Sequence, residues 1–167
     1  MPEQKMKKPK PKIDEFAREQ LSGDTLKNFL RFLEFLKDNK LNPRAQSKHV
    51  WTFWYKGLRV CYIMIFKDLW AVTDLGRYSD GEVFKDLEKH LTDDSLKQYI
   101  IDNARVPKCD GCNGSANIPN FLKGKFEELC SCCPLRINNP ESESFEYAKE
   151  LVLITKIIIE DTAASKK

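Results

Sequence analysis

The sequence lacks the long apolar runs that a membrane span requires. Its most aliphatic stretch, Leu151 to Ile159, is interrupted by Lys156, and falls well short of the ~18 residues a spanning helix needs. The basic beginning of the chain runs into Ile13-Asp14-Glu15-Phe16 with no apolar stretch behind it, so no secretory leader is expected. Histidine is scarce: His49 and His90 are the two in the chain, and no metal-ligand spacing ties either to the other or to a cysteine. The nucleophile elbow, the phosphate-binding loop and the H-E-x-x-H metalloprotease motif are all missing. No enzyme signature is left, and no internal repeat is visible.

Net charge is also small once the first dozen residues are set aside. Lys5, Lys7, Lys8, Lys10 and Lys12 against Glu3 give that segment a net +4, so the rest of the chain carries −1 of the overall +3. A body so near neutrality shows no net-charge footprint of a nucleic-acid-binding domain, and nucleic acid is not expected as its partner. With 41% hydrophobic and 32% charged residues, the composition is that of a globular chain rather than a disordered one. At 167 residues there is room for one ordinary core. The expected organisation is a flexible basic arm over 1–12, a single α+β domain over 13–162 and a flexible end over 163–167, in a cytoplasmic protein.

After the arm, Ser22 or Asp24 is placed to cap a helix whose Leu26, Phe29, Leu30 and Leu33 recur at helical spacing, with Phe32 and Phe35 widening the stripe. That helix should end between Asn39 and Pro43 and give way to a loop through Ser47. Val50 to Tyr55, Leu58 to Phe66 and Leu69 to Asp74 are dense in aromatic and β-branched residues, separated by Lys56-Gly57 and Lys67-Asp68. They predict three strands of an antiparallel meander with tight hairpins. The middle strand is apolar on alternate positions of both faces, only Arg59 breaking the pattern, so both faces are expected to be covered. Ser79-Asp80-Gly81-Glu82 reads as a capping box starting a helix with Val83, Phe84, Leu87 and Leu91 inward. Thr92 is placed to cap the next helix, which ends at Val106-Pro107. A short helical piece is expected around Phe126 to Leu129. Asn139-Pro140 then opens a long C-terminal helix, because the run to Asp161 is too long for a strand and holds no glycine. The class is α+β: a three-stranded meander packed by helices, with a cysteine loop over 107–134.

That loop holds the most specific chemistry. Cys109-x2-Cys112 and Cys130-x2-Cys133 are separated by 17 residues, a spacing suited to two knuckles that present four thiolates to one zinc ion. Gly111 and Gly114 in the first knuckle allow the positive-φ turn that wraps backbone N–H groups around a bound sulfur. Cys132 competes for the second pair, since Cys130-x-Cys132 is also a possible clamp. A zinc ion held by four cysteines has no open position, which makes its role structural. Reduced thiols without metal, a dithiol redox site and an iron–sulfur cluster are the alternatives. Cys61, inside an apolar strand, is expected to be a small buried residue.

Trp51, Phe53, Trp54, Tyr55, Tyr62, Phe66 and Trp70 fall within twenty residues. Most should pack in the core, while Trp51, Trp54, Tyr62 and Trp70 are the candidates to line a pocket for a flat or apolar small molecule. The order of tryptophan-rich hairpin, Cys109-x2-Cys112, Gly124-Lys125, Cys130 and a proline-started aliphatic helix resembles a family of small uncharacterised bacterial zinc-loop domains over residues 50–160. The resemblance implies a compact zinc-bearing bacterial domain and carries over no functional residue. The expected function is a non-enzymatic, zinc-stabilised binding module for a small molecule or a protein. The alternatives are a thiol redox protein and a nucleic-acid-associated protein that uses the lysine arm with Lys108, Lys123, Lys125 and Arg136.

Overall fold

Residues 50–73 build the centre of the molecule, where aromatic and β-branched side chains favour a pleated, half-buried surface. A computed structural model describes residues 11–73, 77–78, 82–83, 87–106, 114–115, 118–130 and 133–164. Most of the basic arm, the Ser79–Gly81 part of the capping box, Cys109, Cys112, Cys132 and the last three residues lie outside them. The chain is α+β, and no described helix is long and apolar enough to cross a membrane.

In chain order the elements are α1 (Ile13–Gln20), α2 (Gly23–Asp38), β1 (Asn42–Ala45), β2 (Val50–Tyr55), β3 (Leu58–Phe66) and β4 (Leu69–Thr73). They continue with β5 (Arg77–Tyr78), β6 (Glu82–Val83), α3 (Leu87–His90), α4 (Asp94–Asn103), β7 (Gly114–Ser115), β8 (Leu129–Cys130), β9 (Arg136–Asn138) and α5 (Ser142–Ala164). A 3-10 turn occupies Asn120–Leu122. The predicted meander is the middle of a larger antiparallel sheet of order β1-β2-β3-β4-β9. Both added strands lie at its edges. The expected loop before Ser47 contains β1, whose four residues include Pro43, a residue that sheets tolerate at an edge.

The hairpins close with the tight turns their spacing predicts. Lys56 and Gly57 both take positive φ, at 48° and 80°, as a type I′ turn requires. Asp68 takes φ 56°, and its N–H donates to the Gln20 carbonyl at 2.9 Å, tying this turn to the end of α1. Trp54 pairs with Arg59 and Phe53 with Cys61, so Val60 is an extra residue and β3 carries a bulge.

One face of the sheet is sealed. Trp51, Phe53, Cys61, Ile63, Ile65, Trp70, Val72 and Ile137 are all buried on it. The ring of Phe16 from α1 sits 5.1 Å from Trp51, and Phe29 and Phe32 from α2 each sit 5.4 Å from Trp70. Phe145 of α5 meets Phe32 at 5.7 Å, so α5 extends the same core. Each such side chain, fully buried, contributes roughly 1.5–3 kcal/mol. One hydrophobic cluster runs from Ile13 to Ile159.

Several local expectations are corrected. Ile13–Gln20 is helical, with Ile13, Phe16 and Ala17 buried, so an additional helix follows the arm. Glu82–Val83 pairs as a strand with Arg77–Tyr78 where the capping box predicts helix; the helical turn begins at Leu87. The cap of α4 is Asp93, whose carboxylate accepts from the Ser95 N–H at 2.7 Å, rather than Thr92. Leu129 is in a strand, and the short helical turn near it lies at Asn120–Leu122 instead. The C-terminal helix starts at Ser142 and reaches Ala164, past the expected boundary. Asn139 does not cap it: its side-chain oxygen accepts from the Trp70 N–H at 2.8 Å, which fastens β9 to the start of β4.

Candidate functional site

The second cysteine pair lies between β8 and β9, with Cys130 the last residue of β8. Gly114 pairs with Cys130 and Ser115 with Leu129, which brings the backbone two residues past Cys112 opposite Cys130. The Cys130 N–H donates to the Arg105 carbonyl at 2.7 Å, and the Arg105 N–H donates to the Pro134 carbonyl at 2.9 Å. A further bridge joins Ala104 to Leu135. Arg105, just past α4, thus bonds to both Cys130 and Pro134.

The Sγ atoms of Cys130 and Cys133 are 3.4 Å apart. A disulfide would need about 2.05 Å. Two thiolates on one tetrahedral zinc at ~2.3 Å would stand roughly 3.8 Å apart, so a few tenths of an ångström separate the pair from chelating geometry. Cys130 is buried and Cys133 half-buried. Cys109 and Cys112 lie outside the described residues, and among the described residues no three potential ligands gather. The Arg136 guanidinium is held below its ordinary value by burial and by the Arg105 cation, with Cys133 acting in the opposite sense. Cys61 is fully buried in the core, away from this pair.

The four candidate pocket residues do not converge. Trp51 pairs with Ile63, and Ile65 with Trp70, which sets both tryptophans on the sealed face, 3% and 0% exposed. Tyr62 pairs with Thr52 and Trp54 with Arg59, on the opposite face. A shallow 340 Å³ cleft reaches the edge of Trp51 between Ile13, Asp14, Lys37, Pro43 and Ala45, with none of the other three in its lining.

The opposite face is covered in part: Thr52, Ala71 and Thr73 are buried there, while the larger side chains are less so. Tyr62, Met64, Trp54, Arg59 and Arg136 are half-exposed, and Arg44, Phe66 and Asn138 are exposed. Arg44 pairs with Thr52, Thr52 with Tyr62, Tyr62 with Thr73 and Thr73 with Arg136, so these residues form one row across all five strands. The Thr52 hydroxyl donates to the Arg44 carbonyl and accepts from the Trp54 indole N–H at 2.8 Å, which fixes the plane of that indole. The Arg44 guanidinium lies 5.3 Å from the Trp54 ring and that of Arg59 lies 4.3 Å from Tyr62. Because Val60 is a bulge, Arg59 and Tyr62 share a face despite their odd separation.

Sequence reasoning singled out Trp54 and Tyr62 but missed Arg44 and Arg59 as their companions. The available signal was the break that Arg59 makes in the alternation of β3. No family model, curated protein or solved structure matches the chain.

Proposed function

We propose that the chain is a non-catalytic binding module stapled by a structural zinc ion held by Cys109, Cys112, Cys130 and Cys133. The observation that carries the reading is the Cys130–Cys133 sulfur pair, 3.4 Å apart, with Arg105 bonded to both Cys130 and Pro134. The pairing of Gly114 with Cys130 supports it further, because it sets the backbone two residues beyond Cys112 in the sequence opposite Cys130. Four thiolates would fill a tetrahedral ion, leaving no position for water or substrate. Metal binding then adds to folding free energy and not to turnover.

The test is elemental analysis with thermal melting. One zinc per chain is expected, with Cys130→Ser and Cys133→Ser each losing the metal and a chelator lowering the melting temperature. A metal-free chain with the same melting temperature as its zinc-treated form refutes the staple. The sulfur separation also favours a second reading, a dithiol that passes two electrons and two protons to a disulfide acceptor as Cys130 and Cys133 join. A zinc-free protein that oxidises at these two residues, with a reduced acceptor formed in equal amount, would establish it.

A further inference from the structure

We infer that the face of the five-stranded sheet that carries Trp54 and Tyr62 is a binding surface for single-stranded nucleic acid. The inference specifies a partner for the module proposed above and rests on its being a binding protein. It does not rest on zinc. Two chemical requirements meet on this face: flat rings on which bases stack, and cations that track a phosphate backbone. Trp54 and Tyr62 supply the rings, both half-exposed. Arg44 and Arg136 stand at the two ends of the row that contains Tyr62, about 19 Å apart at four inter-strand steps. Neither forms an ion pair with a described carboxylate.

Charge complementarity selects the occupant. The strand registers place Arg44 and Arg136 on this face and, among the described strand residues that share it, no aspartate or glutamate. A protein partner would be expected to meet a mixture of charges at its rim. An apolar small molecule would need an enclosed cavity, whereas Trp54 and Tyr62 lie on an extended surface. The guanidinium groups of Arg44 and Arg59, 5.3 and 4.3 Å from the Trp54 and Tyr62 ring centres, put a cation beside each ring, where a phosphate adjoining a stacked base would lie, and the ring does not neutralise that charge. Duplex is disfavoured because its bases are stacked on one another and offer no free faces to the rings.

The experiment is fluorescence anisotropy of the full, zinc-replete chain with a labelled single-stranded oligonucleotide of mixed sequence, its duplex, and polyglutamate as a polyanion without bases. Single-strand binding should weaken steeply as salt rises, with the slope reduced by about 0.7 in Arg44→Ala, because one phosphate fewer is neutralised. Tyr62→Ala should weaken binding roughly tenfold or more, as removing the platform for a stacked base does. Tyr62→Phe, which keeps the ring, should bind like the parent. Removing residues 1–10 should leave the Tyr62 effect intact. Three outcomes overturn the inference: no salt-sensitive binding, equal binding of duplex or polyglutamate, or binding indifferent to Arg44→Glu and Tyr62→Ala. A zinc-loaded chain that fails to bind sinks this partner alone, and a metal-free chain that binds single strands yet melts no higher with zinc sinks the staple alone.

Discussion

Trp70 shows how one residue combines a large gain with a local cost. Its side chain is fully buried between Phe29 and Phe32, yet among the described residues its indole N–H has no hydrogen-bond acceptor. An unsatisfied buried donor costs about 1–3 kcal/mol, which offsets part of what the ring contributes. Trp70→Phe removes that donor while leaving a small void, so it should cost less than half the ~3–5 kcal/mol typical of a large-to-alanine change. Denaturant melts of Trp70→Phe and Trp70→Ala measure the two. A Trp70→Phe loss above half that of Trp70→Ala would refute the argument. Asn139 illustrates a different limit on sequence reading: beside Pro140 it has the marks of a helix cap, but it sits at φ 38° and bonds Trp70, 69 residues away. No local pattern announces such a partner.

Among the elements, the β2–β3 hairpin was legible because two residues between apolar strands leave few turns to choose from. Its residues were less so, since lysine is an unusual occupant of positive φ. Gly57 is at φ 80° with nothing within 4 Å of where a Cβ would stand. Gly57→Ala should therefore destabilise by about 1 kcal/mol through backbone conformation alone, and Gly57→Asn should recover most of it. Comparison of their urea midpoints checks this; a loss of several kcal/mol in Gly57→Ala would point to a clash instead. The bulge at Val60 was hidden because alternation along one strand cannot reveal an extra residue. It emerges only from pairing Trp54 with Arg59 and Phe53 with Cys61. For α5 the period was blurred, since burial reaches most of its sides from Phe145 to Ile159, as in helices apolar all round. Length settled its type.

At the scale of the whole molecule, α5 closes on the sheet through Glu160, whose carboxylate accepts from the Tyr55 hydroxyl at 2.5 Å and lies 3.7 Å from Lys56. The Tyr55 bond foremost, with Lys56 and Lys156 adding to it, holds the Glu160 carboxyl below its ordinary value. A depressed acid stabilises the fold fully above its unfolded value of about 4.3, and that contribution is lost as pH falls through the lowered folded value. Glu160→Gln should therefore flatten the acid limb of stability against pH, slightly, because the site is exposed and solvent screens it. Unchanged acid limbs in the two proteins would remove the link. Charge shows the same difference between chain and fold. Outside the arm the net charge is −1, which hides a sheet face where Arg44 and Arg136 stand with no carboxylate among the described strand residues that share it. The α+β class, the three central strands and the long last helix follow from the sequence alone, because each rests on local periodicity, length or a turn. Tertiary structure decided which face of the sheet is sealed, that Trp51 and Trp70 are parted from Trp54 and Tyr62, and that Cys130 and Cys133 stand together on the exit of α4. These depend on register and on the packing of residues distant in sequence, whose free energy is realised only when the chain closes on itself.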